Sequence, residues 1–488
     1  MIKRLLDNYW DLIATFKKEV YIAIVSSIIG AFSEAFAIYI LVNIITDIKS
    51  SSSIPINDFS KGGSLLLGKE IHITLIIFFI LAFTASCLYF ISQKYVVKIK
   101  SLVEQLVRRR TTESLIKMDW IYFIRLNQGD LSKSILAEGQ QIAEGCMFLI
   151  SSITYLFISA TYFLVALVLV RDSLFILLIY SIFALNIYQR SARRTERLGK
   201  NLSNITSSLG NSSAAIFGNL KYIRINNLNK QALKDSARIF KDFATSYEKA
   251  MTASYMTKGI MEVLSSLFIL VVLTYVLYTK ATNYSLILAL ALFIRMAPNV
   301  YNLQTRLLDA TALISWPKSY KDRLKNAKIN QEKERVLNTR PTSLNGDIRF
   351  QSISFSYPDC DPIFNNFNLI IKENSMVSIL GKSGSGKSTL SDLLTGLIKP
   401  SQGYIYIGKE NLDNINMDAW RSQIGIVMQD NYLANESIAY NIALGERKIN
   451  SKKVITSLKQ ANAWEFIKNL PNNINESVME RGSRFSGG

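Results

Sequence analysis

Residues 381–389 read Gly381-Lys382-Ser383-Gly384-Ser385-Gly386-Lys387-Ser388-Thr389, a spacing of glycines, lysine and hydroxyls suited to holding phosphate. Gly381, Gly384 and Gly386 let the backbone curl so that successive N–H groups point at one anion. A helix beginning near Gly386 would turn the positive end of its dipole toward the same place. Lys387 would neutralise phosphate charge, and the Ser388 hydroxyl would hold Mg²⁺, with Ser383, Ser385 and Thr389 completing the loop. The flanks agree with this reading. Residues 376–380 read as a buried strand entering the loop, and residues 390–397 as an apolar helix leaving it. Strand, glycine loop and helix start together form a Walker A motif, for which ATP and Mg²⁺ are the expected cofactors.

The remaining inventory excludes several other chemistries. His72 is the only histidine, which leaves no material for a Cys–His protease or a multi-histidine metal site. Cys87, Cys146 and Cys360 are too few and too scattered for a disulfide framework or a zinc site. The net charge of +19 could point to nucleic acid. However, the Lys and Arg residues lie beside apolar runs, where anionic lipid head groups and membrane topology account for them. No nucleic-acid partner is expected.

At about 150 residues per domain, 488 residues divide into two or three units. Hydrophobic residues make up 49% of the chain and charged ones 19%, the mixture of membrane spans joined to soluble segments. Crossing the hydrocarbon core takes about 20 apolar residues. Six stretches qualify: about 20–46, 71–93, 147–170, 173–189, 251–279 and 281–305. Residues 94–133 hold nine Lys and Arg and residues 190–249 hold twelve, which places both segments in the cytoplasm. The opposite face has a Ser/Gly-rich loop at about 48–70, a turn at Arg171 and Asp172, and a link near Lys280. Both termini are then cytoplasmic, in a multi-pass protein of the cytoplasmic (inner) membrane. No cleavable signal peptide is visible. The two cytoplasmic excursions lack Pro and read as helices continuing out of the bilayer. The organisation is therefore a six-helix membrane domain over 1–316, a polar linker over 317–345, and an α/β domain over 346–488 with short β-branched runs between Gly and Asp.

Three further features resemble the ATP-binding cassette (ABC) transporter family. Tyr357, in Phe355-Ser356-Tyr357-Pro358 and 24 residues before Gly381, resembles the aromatic residue that stacks on adenine in that family. Gln429, after the strand-like run 424–428, resembles the Q-loop glutamine that touches Mg²⁺ and the attacking water. Ser486-Gly487-Gly488, with Phe485 where Leu is usual, resembles the signature motif, and Glu480-Arg481-Gly482 the loop before it. The resemblance implies a membrane all-α exporter domain fused to an α/β P-loop NTPase. The chain would be a half-transporter that pairs with a second half, as a homodimer whose signature residues act on the partner's ATP. Residues 119–130, with Phe123 and Gly129, and 211–224, with Gly218 and Lys221, resemble coupling regions of the exporter branch. The family's general-base Glu and switch His are absent up to Gly488, so the chain as written is expected to turn over ATP poorly alone.

Glu34 and Arg295 are ionisable residues near the middle of their spans, which makes them candidate substrate contacts. A structural ion pair is the competing interpretation. The forked guanidinium of Arg295 suits an anionic head group. Arg295 followed by Pro298 locally resembles bacterial flippases of lipid-linked oligosaccharides. The resemblance thus implies ATP-driven export or flipping of an amphipathic substrate, with a lipid-linked saccharide as one candidate. Peptide or drug export, and a non-hydrolysing half that regulates a complete partner, stay open. Nothing resembles the selectivity filter of a channel.

Overall fold

The computed structural model describes residues 2–51, 64–126, 134–169, 174–278, 284–331, 345–428, 433–446 and 448–478. The chain divides into two units, Met1–Glu334 and Arg335–Gly488.

The first unit is helical. It opens with α1 (Ile2–Ile13), whose Leu5, Tyr9, Leu12 and Ile13 recur on one helical face and are buried. There follow α2 (Lys17–Ser51), α3 (Ser64–Ile116), the short α4 (Trp120–Phe123), α5 (Gly139–Leu169), α6 (Leu174–Gly218), the short α7 (Leu220–Ile225), α8 (Asn229–Tyr278) and α9 (Tyr284–Ala312). The 53 residues of α3 extend about 80 Å at 1.5 Å per residue, far beyond a hydrocarbon core of about 30 Å. Among the described residues, Lys3–Leu41, Ile73–Ile116 and Gly139–Ala166 are long and apolar enough to cross a membrane. Helices α2 and α3 pack side by side. Ser33 Oγ donates to the Leu81 carbonyl at 2.9 Å and Ser92 Oγ to the Ala23 carbonyl at 2.8 Å. Such small hydroxyl residues let backbones approach closely and satisfy the polar group locally. Tyr155, Ile158 and Tyr162 of α5 pack with Leu292 and Met296 of α9 and with Ala31, Ala35 and Ile38 of α2 in a buried cluster.

Residues 317–345 read in sequence as a linker, yet their first part belongs to α10 (Ser315–Ile329). Trp316, Tyr320, Leu324 and Ala327 lie at helical spacing on one face and pack inward. Pro317 falls in the first turn, where its missing N–H costs no intrahelical bond. Residues 332–344 lie outside the described residues, as do the turn at Arg171 and Asp172, the link near Lys280, and the middle of the 48–70 loop. Of the two segments that resemble coupling regions, 119–130 includes α4, with 127–130 outside the described residues, and 211–224 includes most of α7.

The second unit carries strands β1 (Ile348–Phe355), β2 (Phe364–Ile371), β3 (Gln402–Ile407) and β4 (Glu410–Asn411), ordered β2-β1-β3-β4 and all antiparallel. Ile348 faces Ile371 on one side and Ile407 on the other, and Phe350, Ile353, Phe355, Ile405 and Ile407 are buried. The strand expected at 376–380 has no ladder partner among the described residues. Met376 is 98% and Leu380 92% exposed. Residues 424–428 likewise form no strand with the described residues. All ladder bonds of a parallel strand go to its neighbours, and the described antiparallel sheet supplies none here.

Candidate functional site

The glycine loop leads into α11 (Lys387–Leu394). Thr389, Leu390 and Leu393 of this helix are buried, which seats it against the domain. Its N-cap is Gly386, at φ 85° and ψ 13° in the left-handed region, and Gly384 is also left-handed at φ 82°. A side chain at 386 would be strained there, and its Cβ would lie 2.5 Å from Ile363 Cγ2 and 3.0 Å from the Phe364 ring. The turn is closed by the Ser385 N–H donating to the Lys382 carbonyl at 3.2 Å, and the helix begins with the Leu390 N–H on the Gly386 carbonyl at 2.8 Å. The first helical N–H groups, those of Lys387, Ser388 and Thr389, have no intrahelical partner and can take an anion.

Lys387 folds back across this loop. Its Nζ donates to the Gly381 carbonyl at 2.9 Å and to the Lys382 carbonyl at 2.8 Å. An ammonium has three donors, so one remains beyond these two bonds. Positive charge, free backbone donors and the helix end thus converge on one place, with the exposed Ser388 hydroxyl beside it. That donor set fits a polyphosphate with its Mg²⁺, in which most metal ligands come from phosphate and water. Among the described residues no His, Cys, Asp or Glu group could hold a metal by itself.

Tyr357 follows β1. Its ring meets the Phe355 ring edge-on at 5.1 Å, and the Cys360 N–H donates to its carbonyl at 3.1 Å. The same β1–β2 connection carries Ile363 and Phe364 against Gly386, so the structure brings the aromatic residue's loop up to the glycine loop. Gln429, Ser486, Gly487 and Gly488 lie outside the described residues.

Sequence reasoning missed two residues that brace the loop from behind. Trp420 Nε1 donates to the Leu394 carbonyl and Arg421 Nη2 to the Gly396 carbonyl, each at 2.9 Å. Both belong to α12 (Met417–Arg421), and they cap the carbonyl end of α11, where helix carbonyls lack partners. Nothing in local spacing signals a bond across 25 or 26 residues. Within α11, burial pushes the Asp392 carboxyl above the ordinary aspartate value.

In the first unit, Arg295 Nη1 lies 3.2 Å from Glu34 Oε1, and the Tyr162 hydroxyl donates to Glu34 Oε2 at 2.6 Å. The two charges therefore pair, as the structural interpretation anticipates. The Arg295 side chain nevertheless remains 61% exposed. Tyr162 was the unrecognised member, a hydroxyl placed mid-span in α5. Cys87, Cys146 and Cys360 are all free thiols.

Residues 364–488 match the model of the family described as "ABC transporter". The leukotoxin translocation ATP-binding protein LktB of Mannheimia glucosida is 44% identical over 146 residues, 30% of this chain and 21% of the relative. The alpha-hemolysin translocation ATP-binding protein HlyB of Proteus vulgaris is 43% identical over 146 residues, with the same coverage. The matched stretch thus spans about a fifth of these relatives. A bacterial Atm1-family ABC exporter with ATP bound superposes with a TM-score of 0.77 and 17% identity, covering 97% of this chain and 82% of that one. The glycine loop described above lies inside the matched family region, and the chain carries an ABC transporter domain on the fold of an ABC exporter.

Proposed function

We propose that this chain is one half of an ATP-driven exporter of the cytoplasmic membrane, working as a homodimer with both termini in the cytoplasm. The observation that carries this reading is the convergence of Lys387 Nζ, the left-handed Gly386 and the start of a buried helix on one anion site, in a chain that also holds helices able to span a membrane. Tyr357 would stack on adenine. Gly381, Ser383, Gly384, Ser385, Gly386, Lys387 and Thr389 would cradle the phosphates. Ser388 and Gln429 would hold Mg²⁺, which neutralises phosphate charge when bound. Ser486, Gly487 and Gly488 would act on the ATP of the partner subunit.

The substrate is proposed to be amphipathic and to bear an anionic head group such as that of a lipid-linked saccharide. Arg295 supports this, since its exposed guanidinium keeps donors beyond the one directed at Glu34. A peptide or protein substrate is favoured instead by the toxin-translocating relatives, although their similarity covers the ATP-binding region. Photolabelling with a reactive ATP analogue tests the nucleotide site. Lys387→Ala should lower labelling about tenfold or more, the loss of a charge-assisted contact to phosphate. Equal labelling of variant and parent would overturn the assignment.

A further inference from the structure

We infer that Glu138 and Arg323 are positioning residues that make helix α10 move as one body with the hairpin formed by the end of α3, α4 and the start of α5. Motion of the nucleotide-binding domain would thereby reach the hairpin through the chain itself. The inference rests on the nucleotide reading above only for the source of that motion. Two residues separate the end of α9 from the start of α10, and the chain runs on from it into the second unit.

Four contacts join α10 to the hairpin. Arg323 donates to both carboxylate oxygens of Glu138, whose side chain is only 2% exposed. The Asp119 N–H donates to the Asn330 carbonyl at 2.9 Å, and Met118 forms an antiparallel bridge with Gln331. Leu115 and Met118, at the end of α3, share a small buried cluster with Ala327 of α10, against which Phe123 and Leu126 pack. A further tie anchors the same helix to α1, because Lys321 Nζ reaches the Asp7 carbonyl at 2.6 Å and Asp11 Oδ2 at 2.8 Å.

The buried pair adds something the apolar cluster lacks. Apolar side chains tolerate sliding, whereas a two-pronged guanidinium–carboxylate contact accepts one geometry. Slipping α10 by one residue would turn Arg323 about 100° away and leave Glu138 charged and buried, a costly state. Glu138 also ends a π-helical turn, Ser134–Glu138, that opens into α5. Such turns are uncommon and cluster at functional places. The pair thus locks the register between the helix leading to the nucleotide-binding domain and the hairpin that carries α4.

Hydrogen exchange on the protein in lipid nanodiscs, with and without ATP·Mg²⁺, tests this. In the parent, residues 113–126 and 315–330 should exchange together without nucleotide, and both should respond to it. Glu138→Gln should make 113–126 exchange about tenfold faster than 315–330. Because that variant leaves the half-buried Arg323 guanidinium without its carboxylate, Glu138→Leu with Arg323→Met provides a second, better-packed case. At an unchanged thermal midpoint it should cut the nucleotide response of 113–126 about threefold, while residues 381–389 remain protected by ATP·Mg²⁺. Either folded variant keeping joint exchange and the full response would overturn the inference. If residues 381–389 of the parent gain no protection from ATP·Mg²⁺, the nucleotide reading fails. The nucleotide-free comparison still decides whether the two segments move together.

Discussion

Two apolar runs in this protein look alike in sequence and fare differently in the fold. In α3, Phe79, Phe83 and Phe90 stand exposed along the middle of the helix, Phe83 by 60%. In the nucleotide-binding domain, Met376, Val377, Ile379 and Leu380 stand exposed before the glycine loop. The helical run satisfies its backbone hydrogen bonds internally, so lipid can cover its side chains without further partners. The run before the loop depends on neighbouring strands for its backbone bonds, and it has none among the described residues. Exposure of a large apolar side chain therefore means lipid in the first place and an unmade strand contact in the second.

Substitutions can break this comparison from either side. The largest effect is expected in the bilayer: Phe83→Arg puts a charge at the centre of a span and should cost about 3 kcal/mol of insertion free energy. The fraction of chains resisting alkaline extraction from membranes reports it, and unchanged insertion would mean that Phe83 faces protein or water. Next comes Leu380→Asp. Should strand partners cover residues 376–380 in the working protein, this change costs about 2 kcal/mol, seen as a lower thermal midpoint together with weaker ATP photolabelling. With Leu380 92% exposed, a midpoint within about 0.5 kcal/mol of the parent's is expected, and the larger loss would show the run covered.

The smallest effect sharpens the picture inside the nucleotide-binding domain. Because burial raises the Asp392 pKa, ionising this carboxyl works against the fold. Its contribution to stability is most favourable below about pH 4, the unfolded aspartate range, and is lost as pH rises through the folded value. Asp392→Asn should therefore unfold at a higher temperature than the parent at neutral pH, with the two curves meeting near pH 4. A constant difference at all pH values would assign the effect to packing instead of charge.

The geometry of the glycine loop was legible in the sequence because its parts are consecutive. Nine residues supply the left-handed glycines, the lysine and the helix start, and Lys387 finds its carbonyl partners only five and six positions away. The long apolar helices were legible for a related reason: an α-helix closes its hydrogen bonds within its own segment, so composition and length mark it. Helix α10 carried a readable signal in the spacing of Trp316, Tyr320, Leu324 and Ala327, but the polar Lys and Asn residues between them hid it.

Contacts between distant residues were decided by tertiary structure alone. Tyr162 meets Glu34 across 128 positions, Arg323 meets Glu138 across 185, and Trp420 and Arg421 cap a helix about 26 residues away. No local pattern specifies such pairs, because each side chain is an ordinary choice for its own helix and gains its meaning from what another helix brings beside it. The unpaired state of residues 376–380 belongs to the same class. Alternation and β-branching mark a segment as able to form a strand, but whether it does depends on neighbours supplied from elsewhere in the fold.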